Sequence, residues 1–216
     1  MKKAIVLLSG GLDSATTLFY AKKKGYKVYC LIFDYGQRHK REISSAVKIA
    51  KKAGCKYEVI RIKFPWKGSS LLDRKIKLPK SLSKAIPSTY VPARNTIFLS
   101  FALSYAEAVG AADIFIGANA LDFSGYPDCR PKYYKVFNRL SRVATKSGVE
   151  NKAIKIHTPL IDKTKKEIVL LAKRLKVPLE LTWSCYRGGT KPCGVCDSCR
   201  LRQRGFRRAG VKDPLV

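Results

Sequence analysis

The sequence predicts an α/β protein built on a doubly wound, five-stranded parallel sheet, followed by a small cysteine-bearing segment at the C-terminal end. Short apolar runs alternate with helix-like stretches through most of the chain, the pattern of successive βαβ units. The first run turns on two glycines directly into a helix, as the first crossover of a nucleotide-binding sheet does. Four of the seven cysteines crowd the last quarter, beyond the alternation, so we divide the chain into residues 1–180 and 181–216.

Taken in order, residues 4–8 form the first strand and 15–24 its helix, joined by Ser9-Gly10-Gly11-Leu12-Asp13-Ser14. Residues 27–33 and 57–62 are the second and third strands, with a helix over 40–53 between them. Pro65, Pro79 and Pro87 break the pattern, so residues 64–90 read as an irregular insert able to cover a site. A near-continuously apolar helix over 95–109 leads to a strand at 113–117, and a basic amphipathic helix over 132–146 to a fifth strand at 154–157. The helix after it spans 163–175. In the order 3-2-1-4-5 the winding reverses between the first and fourth strands, and ligands bind outside the carboxyl ends of strands at that crevice. The Ser9 to Ser14 loop is therefore expected to face the loop after Gly117, with Asp34 to His39 alongside.

Composition narrows the function classes. With 216 residues and 46% apolar content, the chain can bury roughly 70% of its unfolded surface, which excludes a disordered protein. The apolar run after Met1-Lys2-Lys3 stops at Ser9, too short for a signal peptide, and no stretch approaches a membrane span. The expected location is cytoplasmic, with the cysteines as thiols or metal ligands. A net charge of +29 implies a weak, salt-sensitive attraction to RNA, and also supplies the positive field a nucleotide cleft needs.

A strand that turns on glycines into a helix leaves N–H groups and a positive dipole end facing an anion, and residues without Cβ let the backbone approach it. Ser9 and Ser14 add hydroxyls; Asp13 can orient the loop or hold magnesium. No Lys-Ser or Lys-Thr follows the glycines, which excludes the P-loop of kinases and GTPases. Two loops at the same rim suit a planar polar ligand. Asp34-Tyr35-Gly36-Gln37-Arg38-His39 packs donors, acceptors and a ring into six residues. Asp122-Phe123-Ser124-Gly125-Tyr126-Pro127-Asp128-Cys129-Arg130 offers carboxylates for the edge of a guanine-like ring, aromatics for its face and a guanidinium for a substrate carboxylate. Cys30 and Cys55 read as small core residues, so no glutaminase nucleophile is in view, and His157 reads as structural.

Cys185-x7-Cys193-x2-Cys196-x2-Cys199, with Gly188, Gly189 and Gly194 for tight turns, suits four thiolates on a closed structural zinc site. An iron–sulfur cluster is the rival. Arg200, Arg202, Arg204, Arg207 and Arg208 follow on a terminal helix whose arginines read as a solvated face.

The Ser-Gly-Gly-x-Asp-Ser loop resembles the pyrophosphate loop of ATP pyrophosphatases, which adenylate a carboxyl or carbonyl oxygen. Together with Asp34 to His39, Tyr90-Val91-Pro92-Ala93-Arg94-Asn95, Asp122 to Arg130, Thr158-Pro159-Leu160 and the cysteines, the chain resembles the 7-cyano-7-deazaguanine synthase family over nearly its whole length. The resemblance implies an adenine nucleotide alpha hydrolase-like fold. It also implies ATP-dependent conversion of 7-carboxy-7-deazaguanine and ammonia to the nitrile, through an adenylated carboxylate and an amide, in queuosine or archaeosine precursor synthesis. It implies ATP contacts at Leu8, Ser9, Gly10, Gly11, Leu12, Asp13, Ser14, Ala15, Thr16, Thr17, Leu18 and Gly117. Substrate contacts fall at Tyr35, Gln37, Arg38, His39, Asp122, Ser124, Tyr126, Asp128 and Arg130. Asp13, Arg94 and Lys165 are the implied catalytic groups, with magnesium, a zinc held by Cys185, Cys193, Cys196 and Cys199, and a homodimer. The rival readings are a tRNA-modifying pyrophosphate-loop enzyme of the thiolation or lysidine type, which leaves Asp122 to Arg130 without a role, and a non-catalytic RNA-binding module, which leaves the intact Ser9 to Ser14 loop without one.

Overall fold

The computed structural model describes residues 1–78, 86–121 and 126–216. Five strands, β1 (Lys3–Leu7), β2 (Lys27–Asp34), β3 (Lys56–Arg61), β4 (Asp113–Ile116) and β5 (Lys155–His157), form one sheet in the order β3-β2-β1-β4-β5. Every pairing is parallel, so the expected order and winding hold. β1, β2 and β4 are Val-, Ile-, Leu- and Phe-rich because both faces of the sheet are covered. On one face α1 (Leu12–Lys23), α2 (Arg41–Lys52), α6 (Lys165–Arg174) and α7 (Asp197–Ala209) close a core around Val6, Leu8, Leu18, Ile32, Ile49, Ile168 and Phe206. On the other, α3 (Arg94–Val109) and α4 (Pro131–Ala144) close a core around Ile5, Leu31, Leu99, Ile114 and Phe137.

Two elements differ from the sequence reading. The helix expected over 132–146 breaks at Thr145, whose hydroxyl donates to the Ser141 carbonyl (2.9 Å) and accepts from Gly148 N (2.9 Å). A second short helix, α5 (Lys146–Val149), starts there; Thr145 offers the chain a cap in place of the next helical turn. The first helix begins at Leu12, three residues early, because Gly11 itself is the N-cap.

The described part of the insert has no helix or strand, yet Ser69 and Ser70 are fully buried and Leu71 joins the α3 and α4 core. The C-terminal segment returns to the sheet domain: Trp183 N donates to the Gly10 carbonyl (2.8 Å), and Phe206 enters the core beside α6. Among the described residues, no helix is long and apolar enough to cross a membrane.

Candidate active site and metal centre

At Gly10 the chain takes φ +83°, and a Cβ there would lie 2.2 Å from the carbonyl oxygen of Glu42 in α2. Glycine thus serves both the turn and the close approach of α2. At Gly11 no side chain caps α1, so the first-turn N–H groups stay available to an anion. Ser14 fixes the loop from within: its hydroxyl donates to the Gly11 carbonyl (3.2 Å), accepts from Ser9 N (3.2 Å) and meets the Ser9 hydroxyl (3.0 Å). Across the crevice, a Cβ on Gly117 would lie 2.9 Å from Asp13 C and Ser14 N. The end of β4 therefore abuts the start of α1, as the reversal of winding requires.

Lys165 reaches this loop from the first turn of α6, which a Thr164–Glu167 capping box holds. Its Nζ meets the two Asp13 oxygens at 2.8 and 3.0 Å. The opposite wall is aromatic. Phe33 and Phe98 stack at 4.0 Å and 7°, and Tyr35, Tyr126 and Tyr186 line the same hollow. Arg94 donates to the Tyr35 hydroxyl (3.3 Å) from a helix start preceded by Ala93 at φ +51°, a conformation that costs a non-glycine residue energy and turns Arg94 into the cavity. Burial pushes Tyr35 up to about 12, against the pull of Arg94, so the phenol stays neutral. The hollow between the walls measures about 270 Å³.

Leu8, Ser9, Gly11, Leu12, Asp13, Ser14, Gly117, Tyr35, Gln37, Arg94, Tyr126 and Lys165 all line this one hollow. Other expected site residues lie elsewhere. Gly10 sits beneath the loop, while Ala15 and Leu18 are in the core, and Thr16 and Thr17 bond back to the carbonyls of Leu12 (2.7 Å) and Asp13 (2.9 Å). Arg38 donates to the Arg74 carbonyl (2.8 Å), and His39 packs on Gly188. The Asp128 carboxylate accepts from Asn95 N (3.1 Å), so it fixes the start of α3. Arg130 is exposed at the start of α4, and Asp122 and Ser124 lie outside the described residues. His157 meets Asp113 at 2.5 Å and stacks on Phe115, as a structural histidine does.

Glu42, Phe98, Asn119, Trp183 and Tyr186 are among the lining residues that escaped the sequence reading. Trp183-Ser184-Cys185-Tyr186 was the available signal, since a chain returning to a metal knuckle must pass the sheet. Glu42 gave none. It is half-buried in the first turn of α2, and burial raises its carboxyl to about 7 against the opposing effects of Arg94 and a hydrogen bond from Gln37.

The sulfurs of Cys185, Cys193, Cys196 and Cys199 all lie within 4.8 Å of one another. A tetrahedral ion with metal–sulfur bonds of about 2.3 Å holds its sulfurs about 3.8 Å apart, so the set fits a single ion. Backbone N–H groups of Arg187 and Cys193 point at the Cys185 sulfur, and that of Cys196 at Cys193, each at 3.4 Å, as thiolates require.

The sequence matches the family described as queuosine biosynthesis protein QueC over residues 3–210. It is 52% identical to the 7-cyano-7-deazaguanine synthase of Trichodesmium erythraeum, over 99% of this chain and 100% of that one. It is 53% identical to that of Nostoc punctiforme (99% of each) and 51% identical to that of Thermoplasma acidophilum (99% and 91%). In fold it is similar to an NMN synthetase from Francisella tularensis, with TM-score 0.51 and 15% identity over 98% of this chain and 78% of that one. It is likewise similar to a 4-thiouridine synthetase solved with RNA and bound ATP, with TM-score 0.51 and 18% identity over 97% and 50%.

Proposed function

The chain belongs to the QueC family of queuosine biosynthesis proteins, and from that membership we propose that it converts 7-carboxy-7-deazaguanine and ammonia to 7-cyano-7-deazaguanine at the expense of ATP. The observation that carries this reading is the shared hollow, with an anion-binding loop on one wall and an aromatic, Arg94-bearing slot on the other. A carboxylate resists ammonia because its oxygen is a poor leaving group, whereas AMP departs readily. Forming the adenylate is a matter of positioning and charge. First-turn N–H groups of α1 and Lys165 take the phosphates, while Arg94 and the rings of Tyr35, Tyr126 and Phe98 seat the purine-like acid with its carboxylate against the α-phosphorus. Ammonia then displaces AMP to give the amide. A second activation makes the amide oxygen a leaving group, and loss of that oxygen with both N–H protons leaves the nitrile.

Magnesium arriving with the nucleotide would be held by Asp13 and would neutralise phosphate charge. Zinc is the metal we assign to Cys185, Cys193, Cys196 and Cys199, a closed set with no open position for water, so its part is to hold residues 181–216 to the 1–180 domain. The reading also carries a cytoplasmic homodimer, supply of archaeosine as well as queuosine precursors, and weak salt-screened RNA attraction from the +29 charge.

Incubation with ATP, ammonium and 7-carboxy-7-deazaguanine should give the nitrile by mass. ATP turnover that needs tRNA, with no nitrile, would replace this reading by a tRNA-modifying one.

A further inference from the structure

Among the described residues that line the hollow, two are carboxylates, Asp13 and Glu42. Asp13 is engaged by Lys165. Glu42 stands at the first turn of α2, where the backbone carbonyl it carries packs against Gly10 and so cannot drift from the phosphate loop. Its side chain accepts from Gln37, and Gln37 is itself fixed by Tyr35 N (2.8 Å) and the Phe33 carbonyl (3.1 Å). We propose that Glu42 is the proton acceptor for the nitrogen nucleophile, taking a proton from ammonium inside the hollow so that neutral ammonia attacks the adenylated carboxyl carbon.

This deepens the synthase reading and rests on it. Ammonium has no lone pair and is the dominant form near neutral pH. A hollow bearing Arg94 and Lys165, in a chain of net charge +29, repels that cation unless an anion stands inside. Glu42 meets both needs. The step balances: ammonium gives one proton to the carboxylate, the freed nitrogen pair forms the C–N bond, the C–O bond to AMP breaks with its electron pair leaving on the AMP oxygen, and AMP takes the second surplus proton of the nitrogen.

The groups facing Glu42 support the assignment. Arg94 from α3 and the Gln37 amide favour its ionised form, and burial opposes them, which leaves the carboxyl near 7, matched to proton transfer at cellular pH. Tyr35, Tyr126, Tyr186 and Cys129 line the same hollow, and all are pushed up by burial, so each stays protonated and none is a base.

The test is Glu42→Gln, with two nucleophiles compared on the full-length protein. Pyrophosphate exchange into ATP that depends on the deazaguanine acid should stay close to wild type, since adenylation needs no base. Ammonium-dependent product formation should fall about 100-fold or more. Hydroxylamine, already unprotonated at neutral pH, should still give hydroxamate at near the wild-type rate. In the wild type at saturating ammonium, the rate should rise with pH to a plateau above about 7, because the acceptor must be ionised, and Glu42→Gln should lack that limb. Equal losses with the two nucleophiles, or lost exchange, would overturn the assignment. Wild-type exchange that ignores the deazaguanine acid would instead defeat the synthase reading itself.

Discussion

A methyl group on Gly205 of α7 would lie 2.4 Å from Lys165 Cγ and 3.0 Å from its Cβ, so the lysine that meets Asp13 passes through space left by a missing side chain. Gly205→Ala gains about 1 kcal/mol in helix propensity and loses about 1–3 kcal/mol to overpacking, a net loss of about 0–2 kcal/mol. We expect the unfolding temperature to shift by only a few degrees while pyrophosphate exchange falls at least about tenfold, because Lys165 must swing off Asp13. Unchanged exchange would show that Lys165 does not act from this position. The Ser9 to Ser14 loop was legible in the sequence because Gly10 is needed for the turn itself, whereas Gly117 is glycine because Asp13 and Ser14 approach it from across the crevice. Glu42 and Gly205 were not legible, since an early helical glutamate and a helical glycine look ordinary until tertiary packing sets them against Gln37 and Lys165. Asp128 shows the converse: in the run from Asp122 to Arg130 it reads as a ring-edge acceptor, yet Asn95 N takes its carboxylate.

At the scale of elements, strands and crossovers were legible because apolar runs buried on both faces stand out from the helices between them. The break at Thr145 was not, because one hydroxyl bond decides it against an otherwise helical pattern. The cysteine segment was visible as a metal site, while its grip on the nucleotide end of the sheet was not. Cys196 is the N-cap of α7, Cys199 lies in its first turn, and the same helix carries Phe206 into the core and Gly205 against Lys165. Removing the metal should therefore weaken stability and nucleotide binding together. With strong chelator or Cys196→Ser, the unfolding temperature should fall by about 10 °C or more and ATP affinity should fall with it. Metal lost with ATP affinity intact would show that α7 holds its place without the ion.

For the whole molecule, the +29 charge and the buried Arg202–Asp213 ion pair of the terminal segment act in opposite senses. Arg202 reads in sequence as one of five solvated arginines, but it is 4% exposed. Its guanidinium forks onto Asp213 (2.7 and 2.9 Å), donates to the Thr182 hydroxyl (2.7 Å) and lies over the Phe206 ring. The chain end is thereby tied across α7 to the segment that enters the site. Asp213→Asn leaves a buried guanidinium without its counter-charge and should cost about 3–5 kcal/mol, a large part of the 5–15 kcal/mol typical of a folded domain. Urea unfolding should show the midpoint falling with the slope unchanged. Salt separates this local effect from the global one. Screening the mutual repulsion of the surface lysines and arginines should raise the midpoint of both proteins as sodium chloride increases. The gap between them should persist, because solvent ions do not reach a pair with both side chains about 5% exposed. A gap that closes at high salt would place the cost of Asp213→Asn in surface charge rather than in the buried fork.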